Sequence, residues 1–162
     1  MHANKEASMP TSSAPAALLI GRCLDLLDAS DLAVLATCPA RADAPPHCSL
    51  MAYALDAERR HLLLTTPQDS RKYANLMENP RVSLLVDTRQ VHAREAVQAL
   101  TVSAVLADTP PEAAAGLRAR FLARHPRLTE FASRPDTALI RLRLTAFQLL
   151  DGVEHAQYVS LV

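Results

Sequence analysis

Ser70-Arg71-Lys72-Tyr73-Ala74-Asn75-Leu76-Met77-Glu78-Asn79-Pro80-Arg81-Val82-Ser83-Leu84-Leu85-Val86-Asp87 decides how this chain is read. The first half reads as a short helix from about Ser70 that packs Tyr73, Leu76 and Met77 inward. Pro80 stops it, because proline cannot continue the backbone ladder and biases the residue before it toward extended conformations. Val82, Leu84 and Val86 then alternate with Ser83 and Asp87, the period of a half-buried strand. A helix N-terminus already carries roughly half a positive charge, so Arg71 and Lys72 stand at its electrostatically unfavourable end. Two readings are open at this point. Either the unpaired N–H groups of the first turn and the two cations hold an anion such as phosphate, or Asp69 and solvent neutralise the pair on an ordinary surface turn.

Upstream of this run, Leu62 to Thr66 reads as a strand, joined across the polar reversal Asp56 to Arg60 to a strand over His47 to Leu55. Arg41-Ala42-Asp43-Ala44-Pro45-Pro46 is turn chemistry. Before it come a small-residue strand, Leu32 to Cys38, and an amphipathic helix over about 16–28 with Leu18, Leu19, Cys23, Leu26 and Leu27 at helical spacing. Downstream, Thr88 to Glu95 is a charged loop and Val97 to Leu106 a β-branched strand. Pro110-Pro111 open a helix with Ala113, Ala114, Leu117 and Phe121 on one face, ending near His125-Pro126. A helical turn around Leu128 and Phe131 follows. Ile140, Leu142 and Leu144 alternate with Arg141 and Arg143 in a long strand, and the Asp151-Gly152 turn leads to a last strand over about 153–161. Antiparallel strands with so few helices cannot build a doubly wound sheet, which needs helical crossovers throughout. The expectation is a mainly β, α+β domain over residues 16–162: a six- to seven-stranded antiparallel split β-barrel with short flanking helices. Residues 1–15 are expected to be a flexible N-terminal tail.

Composition narrows the function classes. The chain has 162 residues, enough for one real core, and 49% are hydrophobic, so it is globular rather than disordered. Lys+Arg and Asp+Glu balance at 17 each, which gives no support to a nucleic-acid binder. No segment has the apolar length of a membrane span, and residues 1–15 lack an apolar signal core, so a soluble cytoplasmic protein is expected. Cys23, Cys38 and Cys48 match no zinc or redox spacing and read as reduced thiols. No two of the six histidines, His2, His47, His61, His92, His125 and His155, lie four apart on one helix, and no metal centre is expected. With only Gly21, Gly116 and Gly152, the chain has no glycine-rich phosphate loop; it also lacks a G-x-S-x-G elbow. A protein with no evident acid, base or nucleophile set can borrow its chemistry from a cofactor.

The strand ending Leu64-Thr65-Thr66, then Ser70-Arg71-Lys72, then Asn79-Pro80-Arg81-Val82-Ser83-Leu84-Leu85-Val86, resembles the pyridoxamine 5′-phosphate oxidase superfamily of flavin-binding split β-barrels. The resemblance runs from about Leu32 to Leu106 and more weakly to the C-terminus. It implies an FMN-binding homodimer with its two flavins at the subunit interface. By the same resemblance, Ser70, Arg71 and Lys72 hold the flavin phosphate, and Thr65 and Thr66 touch the phosphate or ribityl chain. Ser49, Leu50 and Met51 run along the ring, and Gln98 contacts the flavin. The departures are equally specific. Cys48 stands where the oxidase has an arginine, Tyr53 where it has a lysine, and the chain has no tryptophan, so oxidation of pyridoxamine phosphate itself is not expected.

The closing segment, with Phe121, His125-Pro126, Phe131, Pro135-Asp136 and Asp151-Gly152-Val153, resembles the haem-utilisation and general-stress branches of the superfamily. The leading expectation is an FMN-dependent oxidoreductase of unknown substrate with no catalytic residue identified. The alternatives are a non-enzymatic flavin carrier or sensor, a barrel that has lost its cofactor, and a haem-binding protein of the same fold. In the haem case His47, His125 or His155 would be the axial ligand, and Arg71 and Lys72 would pair with propionates.

Overall fold

The computed structural model describes residues 14–41, 43–88, 96–152 and 155–162. Most of the expected tail, residues 89–95 of the expected charged loop, and residues 153–154 lie outside them. In chain order the elements are α1 (Ala14–Ala29), β1 (Leu32–Thr37), β2 (His47–Ala52), β3 (Ala54–Leu55), β4 (His61–Pro67), α2 (Arg71–Glu78), β5 (Arg81–Asp87), β6 (Gln98–Ala107), α3 (Pro111–Arg124), a 3-10 turn (Pro126–Leu128), α4 (Thr129–Ala132), β7 (Thr137–Asp151) and β8 (His155–Ser160).

All pairings are antiparallel, and the sheet runs β2-β1-β5-β6-β7-β4-β3 with β8 also on β7. The first half of β7 pairs with β4, from Thr137 opposite Pro67 to Arg143 opposite His61. Its second half pairs with β8, from Ala146 opposite Ser160 to Asp151 opposite His155. One edge of β7 is thus shared by two strands that diverge, which is the split of the barrel.

Two irregularities make this arrangement possible, and the sequence pattern shows neither. The first is in β7, where the register with β6 shifts between Ser103 and Ala104. Thr145 is skipped in that pairing, and its hydroxyl donates to the Ser103 carbonyl at 3.0 Å. One extra residue resets the alternation of faces. Ile140, Leu142 and Leu144 are buried before it, Phe147 and Leu149 after it. The second is at Tyr53, where the single strand expected over His47 to Leu55 breaks in two. β2 lies against β1, whereas β3 leaves that partner for β4. The buried Tyr53 makes the corner: its amide donates to the Asp31 carbonyl at 3.1 Å and its hydroxyl to the Leu27 carbonyl at 2.9 Å. The count is therefore eight strands among the described residues, where six or seven were expected.

The main core fills the barrel with Leu35, Leu62, Leu64, Leu84, Leu100, Val102, Leu142 and Phe147, and α1 closes it with Leu19, Cys23 and Leu27. Burial pushes the Cys23 thiol up to about 11, so it is an inert core residue. A smaller cluster of Ala54, Leu63, Phe121 and Ala132 lies where α3 and α4 cover the outer face of β3 and β4. No helix among the described residues is long and apolar enough to cross a membrane.

The β3–β4 turn is held by a buried carboxylate. Asp56 Oδ1 accepts the amides of Arg60 at 2.7 Å and His61 at 3.0 Å, and Oδ2 lies 2.8 Å from His61 Nδ1. Burial alone would raise its pKa, but the two amides and the His61 ring together hold it below the usual carboxylate value. Replacing Asp56 by Ala leaves those amides without an acceptor and should cost roughly 2–4 kcal/mol of unfolding free energy in urea. Because the folded pKa is depressed, the contribution is present above the unfolded pKa of about 4 and is lost as pH falls through the folded value. The stability gap between wild type and Asp56→Ala should therefore narrow in acid; a gap that stays constant down to pH 2 would refute this account of the turn.

Candidate functional site

The end of β4 and the start of α2 form a cationic corner. Ser70 caps α2: its Oγ accepts the Tyr73 amide at 3.3 Å and lies 3.0 Å from Thr66 Oγ1. That link ties the helix start to a buried strand residue. Asn75, buried in the middle of α2, donates from Nδ2 to Thr37 Oγ1 at 3.1 Å, which seats the helix on β1. The first turn holds Arg71, exposed, and Lys72, half-buried, with no acidic residue. Among the described residues neither cation pairs with a carboxylate, Asp69 included. The reading in which Asp69 neutralises the pair has no support in the geometry. Hydroxyls at Thr66 and Ser70, two cations and free first-turn N–H groups suit a phosphate monoester. Thr65, which strand alternation points away from Thr66, is buried beside it and does not join the corner.

The ring-lining candidates divide in the same way. Strand alternation puts Ser49 and Met51 on one face of β2 and Leu50 on the other. Met51 is in the core, and Ser49 Oγ lies 3.2 Å from His47 Nε2. Leu50 is 70% exposed. It lines an open cleft of about 620 Å³ together with Val34, Leu85, Thr88, Gln98 and Asp31. Asp25 and Asp87 add further acidic groups to the lining. Gln98 Nε2 donates to Asp151 Oδ1 at 3.3 Å, and Asp151 Oδ2 accepts from Arg22 at 2.7 Å. The Arg22 hydrogen bond first, and the Gln98 one second, hold the Asp151 carboxyl below its usual range.

Leu50 and Gln98 are thus brought together in the cleft. Thr66 pairs with Ala138 near the start of β7 and Gln98 with Asp151 at its end, a separation of roughly 40 Å along the strand. Across the sheet the two places are nearer, because α2 packs on β1 and β2, and Thr37, bonded to Asn75, is three residues from the cleft residue Val34.

Other candidate residues turn out to be structural. Tyr53, in the place of the oxidase's lysine, is committed to the barrel corner, and burial pushes its phenol pKa far above the usual value. Cys48 is exposed on β2. His125 Nε2 lies 2.7 Å from the Tyr53 carbonyl, to which it must donate, so that nitrogen is not free to ligate a metal. Its ring also packs on Phe121 at 4.9 Å. No group of three or more His, Cys, Asp and Glu among the described residues could hold a metal ion. The Asp56–His61 pair and the Arg22–Asp151–Gln98 chain were not anticipated from the sequence.

Comparison with known proteins places the fold. No curated protein sequence matches. Among solved structures, a haem-binding protein from Mycobacterium smegmatis matches with a TM-score of 0.78 at 16% identity, covering 95% of this chain and 60% of that one. This chain therefore spans less than two thirds of that relative's length. A FAD-binding protein from Mesorhizobium loti matches with a TM-score of 0.63 at 19% identity, covering 79% of this chain and 91% of that one. At these identities the likeness establishes the fold. An F420 reductase matches at 28% identity with a TM-score of 0.58, covering 76% of this chain and 93% of that one. The family model of pyridoxamine 5′-phosphate oxidase matches residues 19–151. With the split barrel and that match over most of its length, the chain belongs to the pyridoxamine 5′-phosphate oxidase family.

Proposed function

We propose that the protein is an FMN-dependent oxidoreductase that works as a homodimer. The observation that carries this reading is the cationic corner, where Arg71 and Lys72 open α2 without a described acidic partner beside the Thr66 and Ser70 hydroxyls. Those residues would hold the FMN phosphate. The ring would lie along the cleft, with Leu50, Val34 and Leu85 as its apolar wall and Gln98 as a polar contact. Bound there, the flavin supplies hydride transfer, and the barrel supplies binding, orientation and exclusion of water. The absence of the oxidase's cations at Cys48 and Tyr53 argues that the substrate is not pyridoxamine phosphate.

In the homodimer the cleft that receives the ring would be shared with a second copy of the chain. The outer face of the sheet suits that role. Leu50, Val34, Leu85, Thr101, Gln148 and Tyr158 stand opposite one another in a single row across six strands. Leu50, Leu85 and Tyr158 are exposed at 70%, 38% and 62%. Three exposed apolar side chains in a row that also carries Thr101 and Gln148 make this face a candidate for burial against another protein surface. A two-fold partner seated there would bring its own Gln98 to the ring and complete both sites.

A haem-binding function is the second reading, favoured by the fold shared with the mycobacterial haem-binding protein. His125, one of the three candidate axial ligands, is already engaged by the Tyr53 carbonyl.

The purified protein should be yellow with flavin absorption bands; a Soret band would favour haem, and reduction by a nicotinamide cofactor in stopped flow would separate enzyme from carrier. Arg71→Ala with Lys72→Ala should weaken FMN binding by roughly 100-fold in a fluorescence titration, after discounting the exposed arginine. An unchanged affinity would remove the phosphate from this corner. Leu50→Glu with Leu85→Glu should turn a dimer into a monomer in sedimentation velocity and lose FMN with it. A double variant that stays dimeric would place the interface elsewhere.

A further inference from the structure

The contacts around Gln98 constrain what the cleft can bind. A side-chain amide has a donor end and an acceptor end, and whichever end meets a fixed partner decides which end is left. Asp151 lies at the end of β7, and its carboxylate can only accept. It is itself fixed by Arg22 of α1, whose guanidinium donates to Oδ2 at 2.7 Å and approaches Gln157 Oε1 at 3.5 Å. Gln98 must therefore turn its NH2 toward Asp151 Oδ1, 3.3 Å away, and no described residue donates to its Oε1. Thr88, also on the cleft, accepts the Gln98 backbone amide through Oγ1 at 2.9 Å, which leaves the hydroxyl proton to donate. The cleft rim thus offers an acceptor and a donor side by side.

We propose that Asp151, clamped by Arg22, is a positioning residue that keeps the Gln98 carbonyl oxygen turned outward, so that the cleft selects a ring bearing an N–H donor next to a carbonyl. This rests on the flavin reading above and deepens it. The oxidised isoalloxazine ring has one N–H, at N3, flanked by carbonyls; its pyrimidine edge matches the Gln98–Thr88 pair in both polarity and order. A ligand whose polar edge carries only acceptors, such as the carboxylates of haem, does not match. The depressed carboxyl pKa of Asp151 agrees with a group that stays ionised, and so acceptor-only, throughout the neutral range.

The test compares FMN with 3-methyl-FMN, which lacks the N3 donor, by fluorescence titration of the full-length wild type, Gln98→Leu and Asp151→Asn. An asparagine at 151 can itself donate, which frees the Gln98 amide to turn over. The quantity read is the ratio of the two affinities within each variant, which a general loss of stability does not move. Wild type should prefer FMN by about tenfold to a hundredfold, the usual range for leaving a polar group of a site unpaired. In Gln98→Leu and Asp151→Asn the preference should collapse to about threefold or less. Equal binding of both flavins by wild type, or a preference undiminished in Asp151→Asn, overturns the proposal. Failure of wild type to bind either flavin overturns the cofactor reading itself, and this inference with it.

Discussion

The change of strand partner at Tyr53 is the constraint on which the rest of the molecule depends. β2 belongs to β1 at one end of the sheet and β3 to β4 at the other, and one residue separates them in the chain. Burying that residue with its hydroxyl on the Leu27 carbonyl fixes the turn between the two ends and draws the sheet into a barrel. The closure also puts the end of β4 close to β1, so that α2, leaving β4 through Ser70, can reach Thr37 with Asn75. Without the corner, the cationic first turn of α2 would have no fixed place relative to β2. The bulge at Thr145 works at the opposite side. It lets one long strand serve β4 with one set of faces and β8 with the other.

Charge is distributed over this frame in a way that the neutral total conceals. The α2 corner has Arg71 and Lys72 and no acidic residue in its turn, whereas in the cleft Arg22 is held by Asp151 and Asp25 by Arg59. An anionic group is favoured at the first place, and the second has its charged groups largely paired among themselves. A molecule with a phosphate at one end and a neutral, hydrogen-bonding ring at the other matches that division.

The features legible in the sequence were those set by neighbouring residues. Ser70 before two cations, and Asn79-Pro80 before an alternating run, specify a capped helix and the strand after it within a few residues. The α2–β5 unit accordingly appears within a residue of where it was expected, and the barrel class follows from strand spacing. Features set by distant residues were not legible. Thr145 looks like any strand threonine until its register with Ser103 is known, and Tyr53 looks like a mid-strand aromatic. Alternation also separated residues that the family resemblance had grouped: Thr65 parts from Thr66, and Ser49 and Met51 part from Leu50. The amide orientation of Gln98 is decided by Asp151, far along the chain, and no local pattern carries it.

The central claim is that one flavin is held by the α2 corner of one protomer and the cleft of another. A crystal structure of the protein with FMN tests it most directly. The account predicts a phosphate within hydrogen-bonding distance of Ser70, Arg71 and Lys72, and a ring whose N3–H meets the Gln98 Oε1 of the partner subunit. A phosphate bound away from α2, or a ring that touches neither copy of Gln98, would contradict it.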